Sequence, residues 1–134
     1  MQIKKERVFV MANRKQNKVE KSYIEHKGEK YELVFNLNVM EEIQAEYGSV
    51  EAWGNLVEAE DEPKAKDIKY GFTAMLNEGI DIYNEEHADD EDFKARSFLT
   101  EKQVGRIISE LGLVEAARRL NKQVIDSTKS DEKN

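Results

Sequence analysis

The side chains of this chain that could do chemistry are mostly carboxylates, gathered in two runs. One is Glu58, Glu60, Asp61 and Glu62, just ahead of Pro63. The other follows one of the two histidines, with Asp89, Asp90, Glu91 and Asp92 after His87, while His26 stands far away. A Ca²⁺ loop alternates its oxygen ligands around a glycine, and neither run contains one. The first run reads instead as the approach to a helix, where negative charge and a first-turn proline are both favoured. The second reads as a solvated acidic loop. With no cysteine there is no thiolate nucleophile, thiolate zinc site or disulfide. No glycine-rich phosphate loop of the dinucleotide or Walker type occurs. General acid–base work needs a positioned titratable group in a pocket, and nothing in the sequence supplies one. The expectation is a protein that is not an enzyme and holds no cofactor and no metal.

The cations are distributed unevenly. Residues 1–18 hold Lys4, Lys5, Arg7, Arg14, Lys15 and Lys18 against Glu6, a balance of +5 in a chain whose net charge is -7. The remainder therefore carries -12. Such an arm is either a nucleic-acid contact or a solvated tail that folds back on its own acidic body. Arg118, Arg119 and Lys122, on a helix that follows another helix and Gly112, raise the matching alternative, a helix-turn-helix DNA-binding regulator of a mobile element. Against it, that helix opens with an apolar pair and Glu115 where base-reading residues are wanted. The sequence pI near 5.0 also disfavours strong phosphate binding.

These residues need elements to hold them. The stretch Lys30 to Gly48 changes period: Tyr31, Leu33 and Phe35 alternate as in a strand, then Leu37, Met40, Ile43 and Tyr47 recur as in a helix. Asn36 or Asn38 is the expected N-cap and Gly48 the C′ stop. Val19–Glu25 and the turn at His26–Glu29 complete a β-hairpin, with Gly28 free to take positive φ. Ser49 caps a short helix whose apolar side is Val50, Trp53, Leu56 and Val57. The third helix, Lys64 to about Glu86, carries Ala65, Ile68, Phe72, Met75, Leu76, Ile80 and Tyr83 at spacings of three or four; at about 33 Å it is the width of a small domain. Gly71 and Gly79 interrupt it, as sites of close approach or as weak points. Thr100 and Gln103 form a capping box ahead of Val104, Ile107, Ile108 and Leu111. A last helix carries Val114, Ala117, Leu120 and Val124.

The resulting fold class is α+β, mostly α, an N-terminal antiparallel hairpin followed by four to five packed helices. The expected divisions are a basic arm over 1–18, flexible or forming a short strand at Arg7–Met11, a single domain over 19–125, and a disordered polar tail over 126–134. Mean hydropathy is -0.78 with 37% charged residues. No apolar run is long enough to span a membrane and no secretory signal is evident, so a cytoplasmic protein is expected.

The order K-Y-x-L-x-F-x-L-N, an acidic-faced helix ending E-Y-G-S, a long helix, an acidic loop and L-T-x-x-x-V-G-x-I-I resembles the tail assembly chaperones of long-tailed phages and prophages of Gram-positive bacteria. The carrying segments are Lys30–Ser49, Ile68–Ile80 and Leu99–Leu113, within residues 19–125. The resemblance implies a non-enzymatic protein of the host cell cytoplasm that binds the tape measure protein, keeps it soluble and helps recruit the tail tube protein. A tape measure is a long amphipathic helix prone to aggregate, and a small acidic helical protein with an apolar groove can mask it. Self-association along that helix is compatible, with the free edge of the hairpin as one route. No family residue carries over as a site. From the sequence itself the candidate partner-binding residues are Trp53, Leu56 and Val57, large apolar groups on a short helix; the competing reading places Trp53 in the core.

Sequence-specific DNA binding is not expected. A mobility-shift assay at moderate salt should show no complex, or a weak one that fades steeply as salt rises; tight, sequence-dependent binding would favour the helix-turn-helix alternative.

Overall fold

Two positive-φ residues set the first turn. Lys27 (φ 52°) and Gly28 (φ 79°) are the two central residues between strands, the geometry of a type I′ hairpin turn, whose twist matches that of the strands it joins. β1 (Ser22–His26) and β2 (Glu29–Leu33) pair antiparallel, His26 opposite Glu29 and Ser22 opposite Leu33. The computed structural model describes residues 21–58, 62 and 64–132. The basic arm, its strand at Arg7–Met11, and Glu60, Asp61 and Pro63 lie outside the described residues. After the hairpin come α1 (Leu37–Tyr47), α2 (Val50–Val57), α3 (Ala65–Glu86), α4 (Glu101–Leu111) and α5 (Leu113–Glu132). The fold is α+β, mostly α, as the hydrophobic spacing predicts.

β2 leaves the ladder sooner than its alternation suggests. The backbone N–H of Val34 donates to the Met75 carbonyl of α3 at 3.3 Å, so the strand ends by docking its backbone on a helix. Leu33 and Phe35 remain buried as expected. Asn36 then caps α1, its side chain accepting from the Val39 N–H, and Gly48 ends that helix with its N–H on the Gln44 carbonyl. Ser49 caps α2 through the Ala52 N–H. Thr100 and Gln103 form the capping box of α4.

α3 is the axis of the molecule, touching β2 and all four other helices. Ile68, Phe72, Met75, Leu76 and Ile80 are buried along it, and Leu33, Ile43, Val104 and Leu120 close the same core from the other elements. Its two glycines are close approaches. A Cβ on Gly71 would overlap the Trp53 indole, and one on Gly79 would overlap the Glu32 carbonyl oxygen.

Three expectations need correction. In α1 Val39 joins Ile43 in the core, with Met40 and Tyr47 packed against it, while Leu37 is 69% exposed. In α5 Ala116 and Gln123 are buried with Leu120, and Ala117 and Val124 pack against the core, while Val114 is 74% exposed. Residues two apart on a helix lie about 200° apart, so Leu37 and Val39, or Val114 and Ala116, cannot both face the core. The third concerns the tail, expected to unfold from Asp126. α5 instead runs to Glu132. Lys122 pairs with Asp126 at 2.8 Å and the Thr128 hydroxyl donates to the Val124 and Ile125 carbonyls. No glycine or proline follows Gly112 to stop the helix.

The glycine contacts give opposite expectations for the same substitution. Gly79→Ala should lower stability by about 1–3 kcal/mol, since backbone on both sides must shift. Gly54→Ala, with nothing within 4 Å of its added Cβ, should raise it by about 0.5–1 kcal/mol through helix propensity. Urea midpoints moving in opposite directions would confirm the contrast, and equal shifts would remove the close approach as its cause.

Candidate functional site: an acidic groove between two helices

The surface opens between α1 and α3. The half-buried Tyr70, Thr73 and Ala74 of α3 form the floor of a groove of about 720 Å³, and the small, exposed Ala45 lines it from α1. Glu41 and Glu42 rim it from α1, Glu78 and Asp81 from α3, and Glu101 from the first turn of α4. Phe98, 59% exposed, stands at its end. The α3 contribution is a stripe beside the core stripe: Tyr70, Ala74, Glu78 and Asp81 follow one another at three- and four-residue steps, with Thr73 and Asn77 alongside. Among the described residues no Lys, Arg or His lines the groove, and no ion pair engages its five carboxylates.

The walls are fixed from below. Glu78 accepts from the Asn36 and Asn38 amides at 2.8 and 3.0 Å, tying the start of α1 to the middle of α3. The Tyr70 hydroxyl donates to the Glu42 carbonyl at 3.2 Å, and its ring meets Tyr47 edge-on at 5.5 Å. Tyr47 in turn donates to the Asp67 carboxylate. Both phenols are held above their usual pKa. For Tyr47 burial acts first and the Asp67 hydrogen bond second. For Tyr70 burial is followed by the charges of Glu42, Glu46 and Glu101, so the groove's negative field reaches its floor.

Phe98 is held at the mouth by an arrangement that apolar spacing does not reveal. The chain between α3 and α4 is extended, and two asparagines of α3 bind its backbone as a neighbouring strand would. Asn77 accepts from the Leu99 N–H at 2.8 Å and donates to its carbonyl at 3.0 Å. Asn84 does the same to Arg96, at 2.9 and 3.0 Å. The spacings match: seven residues of helix rise about 10.5 Å and three of extended chain about 10 Å. Arg96 continues the clamp across the hairpin, bonding the Lys30 carbonyl and Glu29 and stacking its guanidinium 3.9 Å from the Tyr83 ring centre. The one sequence signal for this was an asparagine pair one heptad apart on the amphipathic α3.

The residues expected from sequence to bind a partner fall elsewhere. Trp53 is 1% exposed and Val57 is buried beside it; Leu56 is half-buried. The indole fills the notch left by Gly71, and its N–H donates to the Asp67 carbonyl at 2.9 Å. This corrects the partner-anchor reading of Trp53 and Val57, which are core because a glycine opposite makes room for the ring. The carboxylates and histidines likewise do not converge: among the described residues no group of three or more metal-ligand types could hold an ion. His87 stacks on Tyr83 at 4.1 Å.

Arg118, Arg119 and Lys122 of α5 each pair with a carboxylate of their own helix. Glu115 binds Arg118 and Arg119 at 2.7 and 2.9 Å; the hydrogen bonds from Arg118 and then Arg119 pull its carboxyl down to about 2. Arg119 also reaches the Tyr23 carbonyl, and Lys122 holds Asp126. Gly112 alone separates α4 from α5, where the DNA-binding motif uses a turn of about three to four residues.

Comparison of the chain with protein-family models, with curated proteins and with solved structures gives no match.

Truncating Trp53 to alanine should cost about 3–5 kcal/mol, the range for emptying a buried aromatic site. Urea unfolding followed by circular dichroism reads it; a midpoint close to that of the parent chain would return Trp53 to the surface.

Proposed function

We propose that this chain is a non-enzymatic tail assembly chaperone of the kind its sequence resembles, acting in the host cell cytoplasm. On this reading it keeps a tape measure protein soluble and helps bring tail tube subunits to it. The observation that carries the reading is the α1–α3 groove, which has a floor of small and aromatic groups, a rim of five carboxylates and, among the described residues, no lining cation. A groove of that kind suits an amphipathic helix that lays down apolar residues and carries Lys or Arg along its edges. Opposite potentials would speed encounter and set orientation, while the apolar floor covers surface that would otherwise drive aggregation. No helix of the described residues is long and apolar enough to cross a membrane, which accords with a partner met in water.

Co-expression with a tape measure protein from a long-tailed phage of a Gram-positive bacterium tests the reading. The soluble fraction of the tape measure should rise with the parent chain. It should fall back with the pair Glu41→Lys and Asp81→Lys, whose exposed positions leave the fold intact by circular dichroism. A tape measure that is equally insoluble with and without the parent chain would overturn the proposal. Loss of solubilisation only on disrupting another surface would move the site away from the groove.

A further inference from the structure

The groove also has a candidate occupant within the same chain. Residues 1–18 carry six Lys/Arg and one Glu, and their basic groups flank an apolar centre, Val8-Phe9-Val10-Met11. The groove has the complementary layout, with Ala45, Ala74 and Phe98 between carboxylates of α1, α3 and α4. We propose that residues 1–18 lie in the α1–α3 groove of their own chain, and that any partner using the groove must first displace them. This assignment rests on the groove and the arm alone and does not depend on the tail-assembly reading.

Reach and concentration both permit it. Twenty residues precede Lys21, where the described structure starts; extended, they span about 66 Å. The longest element, α3, has 22 residues, about 33 Å, so the arm can reach any face. Tethering holds it at an effective concentration on the order of millimolar. A contact too weak to persist between separate molecules is then well occupied within one, and a partner that binds more tightly still displaces it. Because the attraction runs between opposite charges at an open surface, it should weaken with salt as the screening length falls from about 10 Å at 0.1 M to about 3 Å at 1 M. Attachment of this kind would shield the groove until a longer or better-matched basic helix arrives.

The absence of cysteine makes the test clean in the full-length chain. Asn13→Cys takes a single nitroxide label, and ¹⁵N amide signals report which residues it approaches. At low salt the label should broaden Ala45, Ala74 and Phe98 in preference to the β1 edge. The broadening should disappear at 1 M salt and in the triple variant Glu41→Gln, Glu42→Gln, Asp81→Asn, whose remaining amide spectrum shows that it is folded. Mixing labelled ¹⁴N chain with unlabelled ¹⁵N chain separates the sources: no broadening in the mixture supports attachment within one chain. Broadening that persists there assigns the groove to a second copy's arm and overturns the proposal, as does broadening centred on the hairpin edge or none at all.

Discussion

The absence of two side chains from α3 is the constraint on which the other contacts depend. At Gly79 the β2 backbone passes close enough for the Val34 N–H to reach the Met75 carbonyl. At Gly71 the Trp53 ring sits where a Cβ would be. The two positions are about 80° apart around the helix, so one glycine receives the hairpin and the other receives α2. Protein interiors are packed at crystal-like density, and a methyl group at either place would push a whole element away. A two-stranded hairpin is marginal by itself in water; docking its backbone on α3 supplies what it lacks.

The first turn of α3 then joins the helices on the other side. The Asp67 carbonyl takes the Trp53 indole N–H and its carboxylate takes the Tyr47 hydroxyl, so the end of α1 and the middle of α2 are held at one residue. Buried polar groups are costly unless paired, and here pairing them also sets where α1 lies. With its start tied to Glu78 and its end to Asp67, α1 cannot slide along α3. Its acidic face is thereby held over the Tyr70–Asp81 stripe. The groove is a consequence of packing chosen elsewhere, and its charge comes from residues that the core has no use for.

The extended segment before α4 shows a second way of fixing chain without a sheet. Asn77 and Asn84 each supply one donor and one acceptor, which is what a strand residue would offer, and their spacing on the helix equals the rise of three extended residues. Arg96 joins that segment to the hairpin by a hydrogen bond, an ion pair and the Tyr31 ring, and to α3 by the Tyr83 ring. Phe98 is carried out to the groove as the side chain between two anchored positions.

Local chemistry was legible in the sequence because it depends on neighbours in the chain. The turn at Gly28, the caps Ser49 and Thr100, a cap for α1 at Asn36 or Asn38, the stop at Gly48 and the long apolar stripe of α3 each follow from residues within a turn or two. So did the fold class. What needed the tertiary structure was every choice between nearly equal local options. Leu37 is larger than Val39, and Val114 than Ala116, yet the smaller residue faces inward each time; size and spacing rank the candidates, but the partner surface decides which face it can accept. The role of Gly71 and Gly79, notch or weak point, depends on what lies opposite. So does the choice between core and anchor for Trp53, which the slot at Gly71 decides. The groove was the least legible of all, since its carboxylates come from three helices and each reads, in its own helix, as an ordinary solvated face.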